Sequence, residues 1–351
     1  MSLTSRLGNA KVLVSAGTGG VGKTTVSAAL GVLMARQGKR VLVLTIDPAK
    51  RLAQALGLEG PTFEPKRVEG IDGVEGGILD ASMIDAETIF DKFVDKFAPN
   101  ATVVNQLKKN RLYQQLVTAL TGSQEFTSMD RLLTEYEEGN YDLIILDTPP
   151  TQNAVDFLRA PQRIVQLFDE RITKWFIRGG EKASFISKIV SRGTHTALAA
   201  LEKITGAEFI SELSDFFEQM SFLQASVKER SRRVEGLLQK QETLFLVVAS
   251  ADQEKLREAK KFGESLKDYQ FHLEGMILNR VYPEWFNQGK EVTSSSKFFG
   301  EVKDFYKSQV AAVEKFKSEN PKLAIFSLQE SDQPMNGLKD IVKLSQELEE
   351  I

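Results

Sequence analysis

The chain has 351 residues, of which 42% are hydrophobic and 26% charged, and its formal net charge is −3. This composition indicates one large globular domain, or a domain with a sizeable insertion, and excludes the strongly basic surface typical of nucleic-acid binding. The chain has no cysteine, which excludes disulfides, thiolate zinc sites, iron–sulfur clusters and cysteine catalysis.

The chain has no apolar run of about 18 residues or more, so we expect no integral membrane segment. The first residues also lack the apolar core of a secretory signal. From both observations we expect a cytoplasmic protein.

Short apolar runs rich in branched residues alternate with helical patterns along much of the chain. Buried strands are predicted at 11–16, 40–46, 141–146, 243–249 and 273–278, with weaker candidates at 76–80 and 322–327. Residues 24–37 show helical spacing, and Gly38 is placed as the stop of that helix. A strand, helix and strand within about 30 residues form a βαβ unit. The predicted fold class is therefore α/β, with a mostly parallel sheet flanked by helices.

Two blocks on either side of the strand at 141–146 have helical rather than strand patterns. They cover about 81–138 and 154–239. We interpret them as one α-helical subdomain inserted into the α/β core of a single domain, 1–351. In the second block, Phe209 to Leu223 presents one apolar face. This face predicts packing on neighbouring helices, with a groove for a partner as the alternative.

The stretch GTGGVGKTT, Gly17 to Thr25, follows the first strand and opens the first long helix. It satisfies G-x-x-x-x-G-K-[ST], the pattern of a loop that cradles phosphates with backbone N–H groups at a helix N-terminus. Glycine accepts positive φ, which lets those groups turn inward. We expect Lys23 to bridge the β- and γ-phosphates, the Thr24 hydroxyl to ligate Mg²⁺ and Thr25 to lie near the α-phosphate. The nucleotide-binding residues of the loop are Gly19, Gly20, Val21, Gly22, Lys23, Thr24 and Thr25.

Two aspartates stand at the carboxyl ends of predicted parallel strands, where open α/β sheets bind their ligands. Asp147 is expected to hold Mg²⁺ through water, with a turn residue as the alternative. Asp47 could orient the water that attacks a phosphate, or it could cap the following helix. Position alone does not decide between these roles for Asp47.

Three motifs occur together in this order: Gly19-Gly-Val-Gly-Lys-Thr-Thr25, Asp47-Pro-Ala49 and Asp147-Thr-Pro-Pro-Thr151. In order and approximate spacing they resemble those of the deviant-Walker ATPases. The helical insertion makes the chain most similar to one branch, the arsenite-pump-driving (anion-transporting) ATPases and the targeting factors for tail-anchored membrane proteins. The resemblance implies a P-loop NTPase sheet and ATP or ADP as the ligand.

The resemblance also implies roles for individual residues. Asp47 matches the aspartate that positions the hydrolytic water, and Asp147 matches the start of the segment that senses the γ-phosphate. Asn279 matches an asparagine that contacts adenine, with a turn residue as the alternative. Members of this branch work as dimers, so a homodimer is expected. The helical subdomain is where a client or membrane-protein partner would bind.

Two departures from the family pattern stand out. Without cysteine, the chain lacks the cysteine pair by which some targeting factors share a zinc across a dimer, and it cannot bind arsenite through thiolates. Thr18 stands where the family has a lysine that reaches the partner's phosphates. Three interpretations of Thr18 remain open: catalysis is slow, another cation such as Lys50 or Arg51 supplies charge, or the chain works without the contact in trans.

The sequence therefore predicts Mg²⁺-dependent ATP binding and hydrolysis coupled to a conformational change of the helical subdomain, with Asp47 and Lys23 as catalytic residues. The alternative is a nucleotide-gated interaction protein with negligible turnover. A metalloid-pump energiser is a third hypothesis. No zinc, iron–sulfur cluster or nucleic acid is expected to bind.

Overall fold

The computed structural model describes residues 2–46, 51–59, 63–71, 76–115, 125–148, 207–283, 297–331, 335 and 337–351. The strands are β1 (Val12–Gly17), β2 (Arg40–Thr45), β3 (Lys66–Arg67), β4 (Ile78–Met83), β5 (Leu143–Asp147), β6 (Thr243–Ser250), β7 (His272–Asn279) and β8 (Ile325–Ser327). The helices are α1 (Leu3–Leu7), α2 (Lys23–Arg36), α3 (Arg51–Ala55), α4 (Ala86–Phe97), α5 (Ala101–Lys109), α6 (Glu125–Glu138), α7 (Ala207–Met220), α8 (Leu223–Leu238), α9 (Gln253–Asp268), α10 (Lys297–Glu319) and α11 (Leu338–Glu350).

The described residues fall into two compact units. The first, here called the sheet unit, lies within Met1–Ile84, Arg131–Leu158 and Glu235–Ile351. The second, called the helical unit, lies within Asp85–Asp130 and Arg159–Val234. The predicted strands all belong to the sheet unit.

The eight strands form one sheet in the order β3-β4-β2-β5-β1-β6-β7-β8. Every neighbouring pair is parallel except β3 and β4. This arrangement confirms the predicted α/β class with a mostly parallel sheet. Because parallel strands all end at the same edge, the carboxyl ends of β1, β2, β5 and β7 lie along one edge of the sheet.

Two features at one side of the sheet differ from the sequence prediction. Strand β3 was not predicted, because its two residues are basic and exposed and show no apolar pattern. Strand β4 is longer than the predicted 76–80, because polar Asp80 and Ser82 interrupt its apolar run although both are buried. The Asp80 carboxylate is satisfied by Arg67 Nε at 2.6 Å and by the Tyr141 hydroxyl at 3.0 Å.

Helix α2 lies at the centre of the sheet unit, and its residues from Val26 to Ala35 are all buried. It ends at Arg36, and Gly38, the predicted stop residue, follows with a φ of 91°. The Gly38 N–H donates to Ala35 O at 2.9 Å, and the Lys39 N–H donates to Met34 O at 3.2 Å. These two bonds form a Schellman cap, which requires the left-handed conformation that glycine adopts at least cost.

The core of the sheet unit joins one face of the sheet to α2. Side chains of α1 and α11 belong to the same apolar cluster, including Leu3, Leu7, Leu344 and Leu348. Burial of this apolar surface is the main stabilising contribution.

The helical unit has its own aromatic-rich core. It contains Phe90, Phe93, Val94, Leu107, Tyr113, Phe126, Phe216, Phe217, Met220, Leu223 and Val227. Four of these residues belong to the apolar face predicted over Phe209 to Leu223. For those four side chains the packing interpretation is confirmed, since all are buried. Across the described residues, no helix is both long and apolar enough to cross a bilayer.

The close approach of Gly77 to α2 gives a stability prediction. A Cβ at Gly77 would lie 1.9 Å from the Ala35 carbonyl oxygen and 3.0 Å from Gly38 Cα. Gly77→Ala must therefore displace backbone at the helix end, and we expect it to lower the free energy of unfolding by about 2 kcal/mol or more. A shift of the urea midpoint measures this change.

Gly236→Ala is the matched control, because a Cβ there meets nothing within 4 Å and the residue lies in α8. We expect it to raise stability by about 0.5–1 kcal/mol. A Gly77→Ala protein that unfolds at the wild-type urea concentration would contradict the packing described above.

Candidate functional site

The segment between β1 and α2 turns sharply because of its glycines. Gly17 has a φ of 152°, and a Cβ there would lie 2.1 Å from the Val248 carbonyl oxygen on β6. Gly20 and Gly22 have φ values of 79° and 87°. Gly22 is also the N-cap of α2, and it has no side chain that could accept hydrogen bonds from the first N–H groups of the helix. Those N–H groups are therefore available to an anion bound at the start of α2.

Lys23 is the first residue of α2, and its side chain is buried. Its Nζ donates to the Thr18 carbonyl oxygen at 2.8 Å. The ammonium group is thus held against the backbone of the loop that it follows. Thr18 itself has a buried hydroxyl with no hydrogen-bond partner among the described residues.

The Asp147 carboxylate, at the end of β5, is almost completely buried. Its Oδ2 accepts hydrogen bonds from Thr24 Oγ1 at 2.7 Å and from Thr45 Oγ1 at 2.9 Å. Ser27 Oγ lies 3.5 Å from Oδ1. A buried carboxylate needs such donors, because its desolvation is otherwise very costly. The structure therefore brings Asp147 and Thr24 together, as the sequence predicted for a shared metal site.

Asn279 lies at the end of β7 and is buried. Its Nδ2 donates to the Val21 carbonyl oxygen at 2.9 Å, and its Oδ1 accepts from the Arg280 N–H at 3.0 Å. A Cβ at Gly22 would lie 2.3 Å from Asn279 Nδ2. The asparagine thus holds the phosphate loop from the side opposite to Asp147, while its expected contact with adenine stays a prediction.

A cavity of about 240 Å³ opens over the loop at this edge of the sheet. Its walls are Gly20, Gly22, Lys23, Thr24, Thr25, Arg51, Thr148 and Arg280. Predicted site residues supply five of these eight. Three of the lining side chains are cationic, and none of these described residues carries a carboxylate. The cavity is therefore suited to an anion.

Two predicted residues, the catalytic Asp47 and the cation Lys50, lie outside the described residues. Arg51, the other cation considered beside Asp47, does line the cavity. Gly19 and Val21 complete the loop backbone between Thr18 and Gly22.

Sequence reasoning missed two residues of this edge, Thr45 and Arg280. Thr45 is the last residue of β2, and Arg280 directly follows β7. Their positions at the carboxyl ends of parallel strands were the available signal, and the same signal had identified Asp47 and Asp147.

Oxygen ligands of the kind that Mg²⁺ prefers are present at the predicted metal position. They are the Thr24 hydroxyl and the Asp147 carboxylate, which already contact one another. In the part of the chain that the structure describes, no three His, Asp or Glu side chains cluster as a complete protein cage for a metal. Sites of Mg²⁺ on nucleotides typically use one or two protein ligands plus phosphate oxygens and water. The residues present fit that pattern.

Comparison with known proteins gives relatives along nearly the whole chain. The protein named "Putative arsenical pump-driving ATPase 1" from Aquifex aeolicus (strain VF5) is 24% identical over 342 residues, covering 96% of this chain and 78% of that protein. ATPase ASNA1 homolog 1 from Paramecium tetraurelia is 25% identical, covering 76% of this chain and 73% of its own length. ATPase get3 from Aspergillus terreus is also 25% identical, covering 76% and 71%.

These relatives are all named ATPases, in agreement with the loop, the buried aspartate and the cationic cavity. The predicted resemblance is confirmed at the level of the family. Residues 10–350 match the family model described as anion-transporting ATPase, and this chain therefore belongs to that ATPase family.

Proposed function

We propose that the chain binds Mg²⁺ and ATP in the cavity above the loop and hydrolyses ATP to ADP and phosphate. The observation that carries this proposal is the contact between the loop hydroxyl of Thr24 and the buried Asp147 carboxylate. This pair lies beside a cavity whose charged lining is cationic. Phosphoryl transfer depends largely on positioning and on stabilisation of negative charge, and these groups supply both.

Each loop residue has a definite role in this proposal. The N–H groups of residues 19–25 and the Lys23 ammonium bind the phosphates, while Thr24 and, through water, Asp147 hold Mg²⁺. When bound, Mg²⁺ neutralises part of the phosphate charge. Asp47 orients the attacking water in line with the γ-phosphate and accepts its proton. The leaving oxygen stays on ADP.

Thr45 has the role of a positioning residue. It is almost completely buried, and its hydroxyl fixes Asp147 Oδ2 at 2.9 Å. The neighbouring backbone is joined as well, since the Ile46 N–H donates to the Asp147 carbonyl oxygen at 3.4 Å. Because Asp47 follows Ile46 directly, this contact links β2, which leads to Asp47, with β5, which ends at Asp147.

We further propose that the helical unit is the inserted α-helical subdomain and that it responds to the nucleotide state. Its independent aromatic core supports this proposal, because a unit with its own core can move as one body. A relative whose name describes a pump-driving ATPase suggests that such a unit serves a protein partner. A homodimer and a cytoplasmic location also remain proposals.

The second candidate function is a nucleotide-gated interaction protein with negligible turnover. Position 18 favours it, because a neutral threonine with a buried hydroxyl stands there instead of a cation. Such a protein would bind ATP and ADP in the same cavity, and its contacts with a partner would differ between the two nucleotides without rapid hydrolysis.

Replacement of Asp47 separates the two candidates. We expect Asp47→Asn to lower the steady-state rate of ATP hydrolysis by about 100-fold or more, because the attacking water loses its base. Binding of ATP, measured by calorimetry, should stay within a few-fold of wild type.

Asp268→Asn is the matched control, since it makes the same charge change at the exposed end of α9 and should leave the rate unchanged. Equal, background-level rates in wild type and Asp47→Asn would instead favour the nucleotide-gated interaction protein.

Thr45→Val tests the positioning role. It removes the hydroxyl that donates to Asp147, so we expect the Mg²⁺-dependent part of ATP affinity to fall about three- to tenfold. Thr45→Ser keeps a hydroxyl and should restore most of that affinity. Wild-type affinity in Thr45→Val, or equal losses in both variants at an unchanged melting temperature, would show that the hydrogen bond has no such role.

A further inference from the structure

Arg280 lines the phosphate cavity, although it belongs to neither the loop nor the predicted aspartate motifs. It follows Asn279, the last residue of β7. The Arg280 N–H donates to the Asn279 side chain at 3.0 Å, and the next N–H, that of Val281, donates to Leu328 O at 3.0 Å. The backbone on both sides of the arginine is therefore fixed, and its position beside the loop is defined.

The backbone conformation of Arg280 is unusual for an arginine. Its φ is 55°, in the left-handed region that glycine adopts most easily. Among the described non-glycine residues, only Gln270 shares a positive φ. Gln270 follows the end of α9, where its own N–H and that of Phe271 close the helix. Arg280 follows a strand and has no helix to close, so its conformation needs another reason.

In this conformation Arg280 lies in the wall of the cavity over the loop. Lys23, Arg51 and Arg280 bring three positive charges to its walls, and the described lining residues contain no acid. Lys23 already contacts the loop backbone at Thr18 O. Position 18 itself contributes no charge. The positive charge over the loop therefore comes in large part from residues that follow other strands.

We propose that Arg280 binds the phosphate chain of a nucleoside di- or triphosphate within its own subunit. With Arg51, it supplies the charge that Thr18 does not. A guanidinium group suits this role because its planar fork can donate two hydrogen bonds to phosphate oxygens. This inference rests on the proposed nucleotide site and adds to it a residue outside the phosphate loop.

Binding of ATP and of inorganic tripolyphosphate, both with Mg²⁺, tests the inference. We expect Arg280→Ala to weaken both ligands by about tenfold or more, because the contact is to phosphate. Arg280→Lys keeps a charge without the fork and should lose less. Arg257→Ala is the matched control, since it removes an exposed arginine of α9 that is not among the cavity residues, and should stay within twofold of wild type.

One further variant makes the test independent of folding defects. Arg280→Gly removes the side chain and suits the left-handed backbone, so it should melt at or above the wild-type temperature while losing the same affinity.

Several results would overturn the inference. One is wild-type affinity for tripolyphosphate in Arg280→Ala, which would assign the arginine to the base or ribose, or to neither. Others are an equal loss in Arg257→Ala, and a wild-type protein that binds ATP but not tripolyphosphate. A wild-type protein that binds neither ligand would contradict the proposed function itself.

Discussion

The Asp147 carboxylate is buried at the edge of the sheet where three segments meet, and its hydrogen bonds join them. Thr24 belongs to α2, Thr45 to β2 and Asp147 to β5. A buried carboxylate without donors would cost several kcal/mol, so the two hydroxyls stabilise Asp147 in its buried position. One buried side chain thus fixes the first turn of α2, the end of β2 and the end of β5 relative to one another.

The loop is held on its other side by contacts that only glycine permits. Gly17 lies against the Val248 carbonyl of β6, and Gly22 lies against the Asn279 amide of β7. Fixed in this way, the loop presents its N–H groups and Lys23 to a cavity that also receives two arginines. Groups arranged before the ligand arrives need little reorganisation during the reaction, which is how polar sites stabilise developing charge.

Much of the fold could be predicted from the sequence, because its signals are local. Apolar runs rich in branched residues predicted the strands, and glycines predicted the loop and the end of α2. Thr45 and Arg280 could not be predicted in the same way, since their roles depend on strand order. A threonine ending a strand, or an arginine after one, is ordinary until the sheet places it beside Asp147 or the loop. Asp47 carries a motif in sequence but lies outside the described residues, so its role rests on the family resemblance.

We propose that Asp147 and Thr24 together organise a site for Mg²⁺ and nucleotide. Calorimetric titration of Asp147→Asn with ATP, with and without Mg²⁺, tests this proposal, because the amide keeps the size of the side chain and removes its charge. We expect Mg²⁺ to strengthen ATP binding by wild type and to have little effect on the variant, while ATP binding without Mg²⁺ persists in both. The same Mg²⁺-dependent gain in wild type and Asp147→Asn would contradict it.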